Sequence, residues 1–408
     1  MEGEKDVQYW LQEFSKYLVK FGVISRPVGQ GNWKWKSHQF LFLIPLILDG
    51  IRHLICSFLP FISDKNLAKI LQTCLGDIFK PLGQLATVFH VVIFMAWICW
   101  IMLDRLILIQ AERQDKLYLL YPFYPKSNHR LDPHVKEMIK LIKYIVFIIR
   151  IMIPLFYIVF GFLYAGLYLV ANLEAKSWTF ALSSFIWTGI MWYISVHCGL
   201  QEITNHGMMF MSTYLTRLKI RNLYNDLTKA VPGEDLLHVI FKIYQQVRMI
   251  RRFNELMQNL LRLILIFLGP IVGLVIFTVV LDSPLWFKVL VSLAASSFMI
   301  ILIIALKSYG SLMTNSRSLL IPLYYWQAII VINRKNRLQM NYRLLLEIKK
   351  CIHVLSANRS PAYYTLPDGT EFTPLTVFAF VMSFLSLAFL LLNNSIIKHA
   401  FIQSKHLS

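Results

Sequence analysis

Charge is scarce in this 408-residue chain: only 15% of its residues are Asp, Glu, Lys or Arg, where a soluble globular protein carries about 25%. Cysteine is scarce too. Cys56, Cys74, Cys99, Cys198 and Cys351 form no framework and show no CxxC spacing, which argues against a disulfide scaffold, a zinc site or a dithiol redox centre. There is no Gly-rich phosphate loop, no HExxH, no GxSxG and no pair of carboxylates at a membrane-facing site, so an enzyme is not expected. The 11 histidines are scattered without metal-ligand spacing, and neither a metal nor a cofactor is expected. Residues Met1–Ser37 are polar and basic and lack an apolar signal core, so the first apolar span must itself direct insertion.

What the chain has instead is hydrophobic length. Apolar residues make up 57% of it, gathered into blocks of the roughly 20 residues that a helix needs to cross a bilayer. The expected fold class is all-α, a polytopic membrane protein of seven transmembrane helices at His38–Phe61, Leu82–Leu103, Ile151–Leu173, Trp178–Leu200, Leu261–Leu281, Leu285–Leu306 and Thr373–Leu392. Lys and Arg are unevenly shared among the connections. The N-terminal segment has 6 and the loops after spans two, four and six have 8 each; the loops after spans one, three and five and the final tail have 3, 1, 0 and 2. Cytoplasmic loops are the basic ones, so the N-terminus is expected inside and the C-terminus outside. The same placement accounts for the formal charge of +19 through loops and lipid headgroups, without nucleic acid. The resulting order is a cytoplasmic segment 1–37, helices 1–4 within 38–200, a cytoplasmic helical loop 201–260, helices 5–6 within 261–306, a cytoplasmic helical segment 307–372, helix 7 over 373–392 and an extracellular tail 393–408.

Two amphipathic stretches lie on the cytoplasmic side. Leu236, Ile240, Ile243, Val247 and Ile250 recur at steps of four and three, a heptad-like seam after the break at Pro232–Gly233. Leu344, Leu345, Ile348, Ile352 and Leu355 share one face of 341–356. Between them, Leu319–Ile332 is apolar but short for a span and holds Pro322, so it is expected to be a buried cytoplasmic element. These seams serve packing within one subunit or a bundle where subunits meet.

Several side chains stand out within the spans. Asp49, Arg52 and His53 fall at i, i+3 and i+4 on one face of span one. Such charges are costly in lipid and face protein or water, either as a self-neutralising group or as part of a coupling or ion path. Tyr164, Tyr168, Trp178, Phe185 and Trp187 cluster at the outer ends of spans three and four. They suit an interfacial belt or a pocket for a small organic ligand, oriented by polar groups such as His90 and Ser292. In the last span Thr376, Ala379, Ser383, Ser386, Leu390 and Asn393 form a small and polar stripe. That stripe permits close helix packing or lines a hydrated path.

The order of parts resembles the arthropod gustatory receptors, which share a fold with insect odorant receptors. The residue-level likeness lies in SPAYYTLPDGTEFTPLTVFAFVMSFLSLAFLLLNN from Ser360, which is similar to that family's short connector with a Gly and a Phe (Gly369 and Phe372) followed by the final helix. Insect members carry Thr-Tyr, five hydrophobic residues and Gln-Phe there; this chain has Ser383-Phe384, Leu385–Phe389 and Leu390-Leu391. The segment around Phe253-Asn254 also resembles an Asn-Phe-containing stretch of the family. The resemblance implies a tetrameric, ligand-gated, non-selective cation channel in the plasma membrane, homomeric or heteromeric, opened by a small organic tastant. The last helices would line the pore, and 307–372 would belong to a cytoplasmic anchor. Two other classes compete. A G-protein-coupled receptor predicts the opposite orientation and a cysteine in the loop Gln201–Leu260, which has none. A transporter predicts repeats or paired broken helices, and Pro45, Pro154 and Pro270 do not pair up between halves.

Overall fold

A computed structural model describes residues 2–24, 35–82, 84–112, 135–231, 233–252, 254–255, 311–312, 314–332 and 338–356, with the single positions 307, 379, 382 and 386. The described residues are helical apart from short turns. The helices are α1 Glu2–Lys20, α2 Trp35–Phe58, α3 Lys65–Leu75, α4 Gln84–Glu112, α5 Val135–Ala175 and α6 Trp178–Lys229. They continue with α7 over 234–252, α8 Leu320–Ile332 and α9 Leu338–Ser356.

Four of these are long and apolar enough to cross a membrane: Phe42–Phe61, Ala86–Leu106, Ile139–Ala175 and Trp178–Lys229. They carry the first four expected spans, and each of the last three starts or ends beyond the bounds read from hydropathy. The expected spans Leu261–Leu281, Leu285–Leu306 and Thr373–Leu392 lie outside the described residues, apart from three positions of the last. The 52 residues of α6 extend about 78 Å at 1.5 Å per residue. The hydrocarbon layer is about 30 Å thick, so more than half of α6 projects beyond it.

Close approach between α5 and α6 depends on small residues. A Cβ on Gly199 would sit 2.9 Å from the Phe156 ring, which is how helices come together where lipid supplies no hydrophobic drive. The turn between α5 and α6 is two residues long, with Lys176 at positive φ and Ser177 at the N-cap of α6.

The basic N-terminal segment contains an element that its composition hides. In α1, Leu11, Phe14 and Leu18 point one way and are fully buried, packed with Ile142, Val146 and Met211 of α5 and α6 in one apolar cluster. Arg150, at the N-terminal edge of the third expected span, donates to Glu13 at 3.0 Å and to the Tyr17 hydroxyl at 3.2 Å. The span-edge charge is thereby tied to the helix beneath it.

Both amphipathic seams enter a single core. Leu236, Ile240, Ile243, Val247 and Ile250 of α7 pack with Leu344, Leu345, Ile348, Ile352 and Leu355 of α9. Between them lies α8, with Pro322 in its first turn, where a missing N–H costs nothing. Its Leu323, Trp326 and Ile330 are buried in the same core, and Trp326 Nε1 donates to the Leu227 carbonyl at 2.7 Å. The opposite face of α8, with Ile321, Tyr324, Tyr325 and Ile332, is exposed.

Candidate functional site

The charged group in the first span is not alone. Arg52 is fully buried among the helices and uses its guanidinium fork four ways. Nε donates to the Leu75 carbonyl at 2.8 Å, Nη2 to the Gly76 carbonyl at 3.0 Å, and Nη1 reaches Asp49 Oδ1 at 3.2 Å and the Met191 sulfur at 3.3 Å. The guanidinium also lies 5.2 Å from the Trp187 ring centroid, a cation–π distance. Asp49 accepts a second bond from Trp97 Nε1 at 2.7 Å. A buried ion pair persists only where the remaining donors and acceptors are also met, and here nearly all of them are.

The helices place these groups for identifiable reasons. In α2 the spacing of Asp49, Arg52 and His53 puts all three on the face that meets α4 and α6. The connection 62–82 packs back against the bundle, and its helix α3 is capped at both ends. Asp64 accepts from the Asn66 and Leu67 N–H groups, and Gly76 closes the helix in the left-handed conformation at φ +55. A Cβ at Gly76 would stand 2.4 Å from the Ser184 backbone nitrogen, so the backbone approach to α6 requires glycine. Directly after it, Asp77 turns inward, accepts the Phe79 N–H at 2.9 Å, and meets His90 Nε2 at 3.0 Å. Burial pushes the Asp77 carboxyl upward, but the His90 bond, the His90 and Arg52 charges and the Phe79 N–H outweigh it, and the net direction is down.

His53 and His90 join the two acids. Their Nδ1 atoms are 2.8 Å apart, and His53 Nε2 is 3.4 Å from Asp49 Oδ2. Aromatic rings close the group in: Phe79 stacks on Phe89 at 5.7 Å between centroids and meets His90 edge-on at 5.4 Å. Tyr164 is buried beside it and shares a 2.7 Å hydrogen bond with Ser195.

The sequence pointed to Asp49, Arg52 and His53 as one group and to His90, Tyr164 and Trp187 as another; the structure brings Asp49, Arg52, His53, His90 and Trp187 into contact, with Tyr164 buried nearby. Tyr168 is half-buried and meets Phe185 edge-on at 6.1 Å. Phe185 and Trp178, 65% and 91% exposed, face away from the polar group. Ser292, Thr376, Ser383, Leu390 and Asn393 lie outside the described residues. Ala379 and Ser386 are helical and exposed.

Sequence reasoning missed Asp77, Trp97 and Met191. An aspartate beside a Gly is the one signal that would have pointed to Asp77. Also unanticipated were a buried pair toward the C-terminal end of α4, where Gln201 Nε2 donates to Asp104 at 3.2 Å, and a cavity of about 570 Å³ on the C-terminal half of α6. That cavity is lined by Tyr214, Arg217, Arg221, Asn315 and Ser318 among others. Among the described residues, no group of three His, Cys, Asp or Glu is arranged to hold a metal ion.

No protein-family model and no curated protein matches this chain. A solved structure does: the insect olfactory receptor OR5 from Machilis hrabei, in complex with eugenol, superposes with a TM-score of 0.60 over 95% of this chain and 98% of that one, at 9% sequence identity. At that identity the likeness is one of fold, and the chain has the fold of an insect olfactory receptor.

Proposed function

We propose that this protein is a chemoreceptor of the insect olfactory and gustatory receptor superfamily, acting as a ligand-gated, non-selective cation channel of gustatory type in the plasma membrane. The observation that carries this reading is the fold match to an insect olfactory receptor along nearly the whole of both chains. The sequence adds seven apolar spans and a basic cytoplasmic side. The N-terminus is inside, the C-terminus outside, and four identical or different subunits surround an axis. Segment 307–372 belongs to the cytoplasmic anchor. Thr376, Ala379, Ser383, Ser386, Leu390 and Asn393 of the last helix face the pore, with Leu390 as its hydrophobic constriction.

The ligand is a small, mainly apolar organic molecule. It enters from outside among the spans, near Tyr164, Tyr168, Trp187 and His90, with Ser292 as a further polar contact. Trp178 and Phe185 sit at the rim of that region. The Asp49, Arg52 and His53 group holds the outer connection 62–82 in register beside it. Eugenol, bound in the similar structure, is the first compound to try.

Expression in an otherwise quiet cell, with a panel of small organics, tests the reading. A ligand-evoked cation current is expected. Cysteines at Ser383, Ser386 and Asn393 should then react with a water-soluble thiol reagent while those at Phe378 and Leu385 stay protected. Equal reactivity on both faces would remove the pore assignment, and an epitope after Ser408 stained only after permeabilisation would reverse the topology.

A further inference from the structure

We propose that His53 and His90 form a binding site for one shared proton, and that this site couples acidity to the seating of the connection 62–82. The chain of contacts is Asp77 Oδ1 to His90 Nε2 at 3.0 Å, His90 Nδ1 to His53 Nδ1 at 2.8 Å, and His53 Nε2 to Asp49 Oδ2 at 3.4 Å. Protons can be counted along it. An ionised carboxylate only accepts, so the first contact needs a hydrogen on His90 Nε2. Two lone pairs or two N–H groups at 2.8 Å repel, so the middle contact needs one hydrogen and no more. His53 Nε2 is buried and makes no hydrogen bond among the described residues. A lone pair there would face the Asp49 oxygen, whereas a proton turns the same contact into attraction.

Three hydrogens on two rings make one imidazole and one imidazolium. If the third proton sits on Asp49 instead, the count for the network is unchanged. The charge then closes: Asp49 and Asp77 balance Arg52 and the single shared proton. A fully buried cluster requires such neutrality, because an uncompensated charge there is costly. Among the described residues, the other titratable side chains that face the cluster are Cys56 of α2 and Tyr164 of α5, both neutral in their ordinary state near pH 7. From α3 it receives only the Leu75 carbonyl.

Each departure from one proton breaks a contact. A second proton places N–H against N–H between the rings and leaves a net positive charge. Removing the shared proton leaves a lone pair against Asp49 and a net negative charge. His90 holds Asp77, and Arg52 holds Leu75 and Gly76, so either change loosens 62–82 from the bundle. If the cluster faces outward, as in the topology above, external acid becomes a second stimulus. The proton count itself does not rest on that topology or on channel activity.

The exposed, free Cys74 in α3 supplies the test. With Cys99 replaced by Ser, the full chain in nanodiscs is labelled at Cys74 with an environment-sensitive fluorophore and titrated from pH 8.5 to 4.5 without ligand. We expect an emission plateau bounded by a step on at least the acid side, steep enough for one proton. His90→Gln, which keeps a donor toward Asp77 but cannot be protonated, should abolish the acid step. Asp77→Asn, which removes one balancing charge, should move it to lower pH by about one unit. A flat wild-type profile, the same step in His90→Gln, or a step moved upward in Asp77→Asn would each overturn the proposal. Should His90→Gln fail to fold, the direction of the Asp77→Asn shift still decides.

Discussion

Arg52 donates from Nη2 to the carbonyl of Gly76, 24 residues further along the chain, at 3.0 Å. That bond fastens the connection after the first span to the interior of the helix bundle. Leu75 takes the neighbouring nitrogen at 2.8 Å, and Asp49 supplies the counter-charge. Lysine carries the charge but not the fork. Arg52→Lys should therefore lose one carbonyl contact or more and destabilise the folded protein by about 1–3 kcal/mol. Arg52→Leu leaves Asp49 buried and uncompensated, and should cost about 3–5 kcal/mol. The double variant Asp49→Leu, Arg52→Leu should recover part of that loss. Thermal melting of the purified protein in detergent checks the order; equal melting for all three variants would contradict it.

Gly76 offers a sharper contrast. Its φ is +55 and a Cβ would lie 2.4 Å from the Ser184 backbone nitrogen, whereas a Cβ on Gly189 would meet nothing within 4 Å. Gly76→Ala should disrupt the connection 62–82 and reduce the yield of folded protein several-fold. Gly189→Ala, mid-helix, should be neutral or stabilise by about 0.5–1 kcal/mol. Size-exclusion profiles of the two variants, run side by side, measure the difference.

Much of the architecture was legible because lipid imposes strict terms on sequence. The four described spans follow from apolar length, and the core of α7 and α9 follows from two seams whose ten residues are all buried together. Leu319–Ile332 reads as too short for a span, and its helix has 13 residues, fewer than the roughly 20 that cross the hydrocarbon. The α1 helix was overlooked because charge dominates its composition, although Leu11, Phe14 and Leu18 already carried a helical stripe. The candidate site was half legible. The i, i+3, i+4 spacing within α2 is a local signal, and it exposed Asp49, Arg52 and His53. Their partners Asp77, His90, Trp97 and Met191 arrive from other elements, and nothing local records which helix face meets which. For the same reason Phe185 and Trp178 could be grouped with Trp187 by proximity along the chain, yet they point away from it.

Asp77 should give the folded protein an acid limb. Its carboxyl is held below the ordinary carboxylate value by the bonds and charges that outweigh its burial. A group with a depressed folded pKa contributes stability that is fully present above its unfolded value, near 4, and is lost as pH falls through the folded value. Melting temperature should therefore fall as pH drops below about 4, and Asp77→Asn should start lower at neutral pH but show a shallower fall. A parallel decline in both proteins would mean that Asp77 contributes nothing to the acid limb.

The core formed by α7, α8 and α9 supplies a prediction independent of every reading of the membrane site. Trp326 Nε1 donates to the carbonyl of Leu227 at 2.7 Å, two residues before the end of α6 at Lys229. A carbonyl in the last turn of a helix has no N–H one turn ahead to accept from, so the indole caps α6 from α8. Trp326→Phe keeps most of the ring's contacts but leaves that buried carbonyl unmet, and should destabilise the protein by about 1–3 kcal/mol. Ile348 in α9 is fully buried in the same core, and Ile348→Ala should cost about 2–5 kcal/mol through lost contacts and the cavity left behind. Proteolysis at 230–233, directly after α6, should accelerate in Trp326→Phe more than in Ile348→Ala, even though the latter is the less stable overall. Only the tryptophan holds the helix end, so a faster cut in the isoleucine variant would show that Trp326 acts by packing and not as a cap.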